Sequence, residues 1–131
     1  MSMPTGPELR ELIHFAAKAF FGPYYCGKVI WTQMAHGGYW EALTATMRGA
    51  EMGWQRFDPI RMHDDAFMLM TKLHIPVEPD EDGCTIRMGG LVFGSPQIRE
   101  DAKSYTGFDA LSQATMMAIT RAAAVVGRQM P

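Results

Sequence analysis

Residues that carry chemistry crowd most densely in "DPIRMHDDAF", residues 58–67, where His63 stands beside Asp64 and Asp65 with Arg61 and Asp58 close by. Imidazole and carboxylate are both metal ligands and both proton carriers. Their spacing argues against a metal. Adjacent residues on a helix project about 100° apart and do not converge on one ion. Paired ligands need i,i+3 or i,i+4 spacing, as in H-E-x-x-H. His14 with Glu11 has such a spacing, but no further ligand lies near it in the sequence. Pro59 restricts Asp58 to extended geometry, so Asp64 or His63 precedes a first helical turn whose positive end favours carboxylates. The stretch predicts a helix start, with Arg61 and His63 exposed at the turn and available to a partner.

Other reactive groups are scattered. No serine sits in G-x-S-x-G, and neither Cys26 nor Cys84 has a local catalytic signature. Two lone cysteines make no four-sulfur zinc site, and two free thiols are expected unless the fold brings them together. The pairs Gly37–Gly38 and Gly89–Gly90 lack the lysine and following helix of a phosphate loop. Glu78, Asp80, Glu81 and Asp82 form a dense acidic turn. It reads as a solvated turn, or as a surface that meets a basic partner. No catalytic residue, cofactor site or metal site is predicted.

Of the 131 residues, 47% are hydrophobic, enough for one domain with a core. Lys and Arg total 12 against 14 Asp and Glu, a formal charge of −2. That balance gives no general attraction to nucleic acid or to an anionic membrane. No run approaches the roughly 18 apolar residues of a spanning helix. Glu8, Arg10 and Glu11 stand where a signal peptide would be apolar, so a soluble, non-secreted chain is expected.

The elements that must position these groups alternate between helix and strand. Residues 5–21 read as a helix with a Thr5/Glu8 capping box and a stripe of Leu9, Leu12, Ile13, Ala16, Ala17 and Phe20, stopped by Gly22 and Pro23. Residues 24–34 read as a strand, split at Gly27 if anywhere. Residues 39–52 are ambiguous: Leu43, Met47 and Ala50 fit a short helix that Thr44, Thr46 and Gly49 weaken. Residues 54–57 read as a short strand and 64–73 as a second helix. "HIPVEP" and "CTIRMGGLVF" read as a hairpin around "DEDG", with Pro76 and Pro79 marking an edge strand and Gly89 and Gly90 a bulge or bend. "GSPQIREDAKSYTG" reads as a loop with one short strand near Ile98. Asp109–Val126 is the clearest helix, with Asp109 as N-cap and Gly127 as the residue beyond its end. The pattern predicts an α+β fold, a small antiparallel sheet of three to four strands packed against about three helices.

On the last helix, Leu111, Ala114, Ala118, Ala122 and Val125 share one face. The other face carries Gln113, Met116, Met117, Thr120, Arg121, Ala124 and Arg128, with little charge for a solvated surface. Two readings stay open. Either that face is covered by other elements, with methionine filling gaps, or Met116, Met117, Arg121 and Arg128 form an exposed partner-binding strip.

"FDPIRMHDDAFMLMTKL" resembles the segment W-N-P-x-x-D…D-A-x-x-L of small bacteriophage and prophage proteins with the phage ABA-sandwich domain. "DALSQATMMAITRAAAVVGRQM" is similar to their C-terminal helix, with its A-I-x-R-A-A-A-x-I-G-K ending. "ELRELIHFAAKAF" is similar to their N-terminal E-L-L-x-x-A-A-K-A. About half the chain is covered, and residues 24–53 have no counterpart. Phe57 stands where tryptophan is usual and Asp58 where asparagine is usual. The resemblance implies a layered α/β fold, a phage or prophage origin and action in the cytoplasm of a bacterial host; it implies no catalytic residues.

Together these readings favour a non-catalytic phage accessory protein that binds a host or phage protein complex. Inhibition of a host defence such as a CRISPR–Cas complex is its most concrete form. The candidate contacts are Arg61, His63, Asp80, Glu81, Asp82, Met116, Met117, Arg121 and Arg128. A nucleic-acid-binding role through Arg99, Lys103, Arg121 and Arg128 is the alternative. A small metal-binding protein or enzyme built on His63 is third, and Met-rich helices also allow pairing of two copies.

Overall fold

A computed structural model describes residues 6–45, 51–90 and 97–131. The fold is α+β, with three helices and six antiparallel strands divided between two three-stranded sheets among the described residues.

Helix α1 spans Gly6–Phe21 and buries Leu12, Ile13, Ala16 and Ala17 along the expected stripe. Thr5 of the expected capping box lies outside the described residues. Gly22 takes φ 57°, which ends the helix ahead of Pro23. Strand β1 (Tyr25–Met34) pairs with β2 (Gly37–Ala45), and β2 with β3 (Met52–Arg56). The register slips between the Tyr25–Thr44 and Val29–Ala42 pairs, where Gly27 adopts φ 82°. A bulge, not a break, is the outcome at that glycine.

Residues 39–45 correct the short-helix alternative, because they are the central strand of this sheet. Trp40 and Ala42 alternate into the core, and neighbours on both sides take up the backbone groups. Met47 and Ala50, the rest of that alternative, lie outside the described residues.

Helix α2 spans His63–Leu73 and closes on His74 in the left-handed conformation, with its N–H turned back to the Met70 and Thr71 carbonyls. The second sheet is β4 (Val77–Asp80), β5 (Gly83–Ile86) and β6 (Ile98–Asp101), with β5 in the middle. Pro79 sits on β4, an edge strand as expected. The second arm of the hairpin is shorter than expected. It ends at Ile86, and Met88–Gly90 forms a single helical turn.

Helix α3 runs Ala110–Gln129, past the expected stop. Gly127 lies inside it. A Cβ there would stand 1.9 Å from the Phe15 carbonyl oxygen, so the glycine marks the closest approach of α3 to α1. Asp109 holds the N-cap position, but its carboxylate accepts from Gln113 Nε2 at 2.8 Å and not from a backbone N–H. Helix α1 packs on the first sheet, α3 on the second, and the two helices pack on each other. One continuous core joins Ile13 and Ala17 of α1, Val29 and Trp40 of the first sheet, Leu69 of α2, Ile86 of β5 and Ile119 of α3. Among the described residues, no helix is long and apolar enough to cross a membrane.

Candidate functional site

The 58–67 stretch is built around Asp58, which is fully buried. Its carboxylate accepts from the Trp40 backbone N–H at 3.3 Å, the Arg61 N–H at 3.2 Å and the Arg61 guanidinium at 3.4 Å. Burial holds the carboxyl above its ordinary value, against the opposing pull of Arg61 and these donors. The Asp58 carbonyl accepts from the Met62 N–H at 2.8 Å, closing the turn before α2. The helix start is as expected, but its cap is Met62, whose side chain makes no capping bond; His63 is the first helical residue. Asp65 instead ties the turn together, accepting from the Asp58 N–H at 2.9 Å and from Arg56 at 3.2 Å.

These side chains therefore serve the turn, and they diverge. Among the described residues, no three His, Cys, Asp or Glu side chains gather in a way that would hold a metal ion. Glu11 and His14 also turn to separate partners. Glu11 pairs with Arg128 at 3.3 Å, and His14 Nδ1 meets the Tyr25 hydroxyl at 2.6 Å. Burial lowers the His14 pKa, reinforced by Lys18, and pushes the Tyr25 hydroxyl up to about 12.

Arg61 and His63 are both exposed, as expected at this turn, but they face different hollows. His63 Nε2 lies 2.9 Å from the Ser112 hydroxyl on α3. It stands at one end of a groove of about 620 Å³ between α2 and the first half of α3. Phe67, Phe108 and Leu111 line this groove with large exposed apolar side chains, Phe108 being wholly solvent-accessible. Met116 and Ile119 form its buried floor.

Of the two readings for α3, the covered face holds and the exposed strip is corrected. Met116 and Met117 are buried, because α3 is covered by α1 on one side and by the second sheet and α2 on others. Arg121 forms a 3.1 Å ion pair with buried Glu100, which also accepts from the Tyr105 hydroxyl at 2.6 Å. Burial and that bond raise the Tyr105 pKa. Of the four, Arg128 alone is exposed, stacked over Phe15 and paired to Glu11. Leu111, expected on the inner face, is at the surface instead.

The acidic turn is exposed but partly neutralised. Arg99 reaches Asp80 at 2.7 Å and Asp101 at 3.0 Å, while Arg87 reaches Glu78 at 3.6 Å. Asp80 Oδ1 also accepts from the Asp82 and Gly83 N–H groups, fixing the turn. Glu81 and Asp82 remain on the surface beside Lys103. The cations of the nucleic-acid alternative are thus divided: Arg99, Arg121 and Arg128 each face a carboxylate. Cys26 is half-buried and Cys84 buried; both are free.

One feature escaped sequence reasoning. Trp31 of β1 and Trp40 of β2 are directly paired across the strands, ring centroids 5.7 Å apart. Together with Gly6, Pro7, Leu9, Arg10 and Arg61 they line a cleft of about 570 Å³. Arg61 lies over Trp31 at 4.5 Å and Arg10 over Trp40 at 5.6 Å. The only sequence signal is a pair of tryptophans symmetric about "MAHG", residues 34–37, and that becomes a contact only once the hairpin register is known.

Comparisons with protein-family models, with curated proteins and with solved structures find no match to this chain.

Proposed function

We propose that this chain is a non-catalytic bacteriophage accessory protein that acts by binding a protein complex in the cytoplasm of its bacterial host. The observation that carries the binding reading is the α2–α3 groove. Exposed Phe67, Phe108 and Leu111 surround a buried Met116 floor, with His63 as a polar marker at the rim. Phenylalanine and methionine are enriched where protein partners meet, and a concave apolar surface of this kind is where a few anchors supply most of the binding energy. Two of the residues expected to touch a partner, His63 and Met116, meet in this groove. Phage origin rests on the resemblance of residues 8–20, 57–73 and 109–130 to the ABA-sandwich proteins.

The target class we assign is a host defence complex of the CRISPR–Cas kind. A host whose CRISPR–Cas complex restricts a plaque-forming phage provides the test. Expression of the chain restores plaques, and expression of Phe108→Glu does not. Unchanged restriction across several CRISPR–Cas types contradicts the assignment.

A further inference from the structure

We propose that the cleft between α1 and the β1–β2 hairpin binds a nucleoside phosphate, its ring against the tryptophan-lined wall and its phosphate between Arg10 and Arg61. This site shares no lining residue with the α2–α3 groove.

Two observations point to such a ligand. First, both guanidiniums are held in place before anything binds. Arg61 is stacked on Trp31 and tied beneath to buried Asp58; Arg10 is stacked on Trp40 and donates to the Val29 carbonyl at 3.1 Å. Arginine forks fixed this way suit the several oxygens of a tetrahedral anion. Second, the rest of the lining is apolar, from Pro7, Leu9 and the part-exposed Trp31 indole, which suits the face of a base, while Trp40 itself is buried. The volume of about 570 Å³ lies within the range of small-molecule sites and exceeds what an isolated phosphate needs.

The backbone is shaped for the same arrangement. A Cβ on Gly38 would stand 2.5 Å from the Trp31 ring, so glycine at this position lets the indole lie across the hairpin. The cleft also continues past Pro7 and Arg10 into a second hollow that reaches Lys28, His14 and Glu11. Glu11 is turned to Arg128, leaving Lys28 as the next cation along the path of a longer phosphate chain.

Calorimetric titration of the full chain with adenosine, guanosine, cytidine and uridine 5′-monophosphates tests this. Adenosine and inorganic phosphate serve as controls, and a short oligothymidylate as the polymeric source. At least one monophosphate or the oligonucleotide should bind more tightly than ~1 mM. Arg10→Gln and Arg61→Gln should each weaken it about tenfold or more, while Arg87→Gln, outside the cleft, leaves it unchanged. Arg10 is exposed, whereas Arg61 is tied to fully buried Asp58, so the Arg10 variant keeps the test valid if Arg61→Gln unfolds. Tighter binding of the oligonucleotide identifies a nucleic-acid strand as the source, and tighter binding of a monophosphate a free nucleotide; either upholds the site. The proposal is overturned if neither binds, if phosphate or adenosine alone binds as well, or if folded Arg10→Gln binds like wild type.

Discussion

Replacing Gly127 by alanine sets two local rules against each other. In a helix interior, glycine to alanine normally stabilises by about 1 kcal/mol, through lost flexibility of the unfolded chain. Here the added Cβ meets backbone. It would stand 1.9 Å from the Phe15 carbonyl oxygen and 2.7 Å from the carbonyl carbon, where ordinary contact begins near 3.4 Å. Helices α1 and α3 must part locally by about 1.5 Å, and no side chain can rotate to relieve it. Overpacking of this kind costs roughly 1–3 kcal/mol, and backbone against backbone belongs at the upper end. After the propensity gain is subtracted, a net loss of about 1–2 kcal/mol remains. For a chain of this size that lowers Tm by roughly 3–10 °C. Thermal unfolding followed by circular dichroism reads the sign directly. A Tm equal to or above wild type would refute the close α1–α3 approach.

Arg121→Met strands Glu100 in the core with only the Tyr105 hydroxyl, and should cost about 3 kcal/mol in a urea titration; adding Glu100→Gln should restore more than half. Asp80→Asn keeps the oxygen that accepts from the Asp82 and Gly83 N–H groups but removes the charge facing Arg99. Bonding to Arg99, then to Asp82, holds the Asp80 carboxyl down at about 2, so its contribution is present above the ordinary value of 3.8 and lost as pH falls toward 2. Wild type and variant should therefore differ in urea midpoint at neutral pH and converge in acid; a pH-independent difference would contradict the pairing. In a thiol-labelling experiment on the native chain, Cys26 should react promptly and Cys84 only on unfolding, because Cys84 is fully buried and burial raises its pKa.

Helices α1, α2 and α3, strands β1 and β3, the acidic hairpin and the short strand at Ile98 were legible because each carries a local signal. Apolar residues recur at helical spacing, or alternate, between glycine and proline stops. What failed was decided elsewhere in the chain. Residues 39–45 are a strand because β1 and β3 flank them, a fact their own weak periodicity does not contain. Gly127 looked like a helix end because glycine usually is one; its role as a contact point with Phe15 depends on an element more than a hundred residues away. Met116 and Met117 stayed open between a covered and an exposed face, because periodicity within one helix does not contain how many of its sides other elements pack, and α3 is packed on several. The α2–α3 groove was half visible through His63 and Met116. The Trp31–Trp40 cleft was not, since it assembles α1, two strands and the turn before α2.

The proposed function requires that the α2–α3 groove bind a protein. Affinity capture from bacterial host lysate with wild type beside Phe108→Glu and Leu111→Glu tests it most directly. Both residues are exposed, so the variants should fold as wild type does. The expected result is one stoichiometric partner with wild type and recovery reduced about tenfold or more with each variant. Equal recovery by all three proteins, or no partner across several hosts, would contradict it.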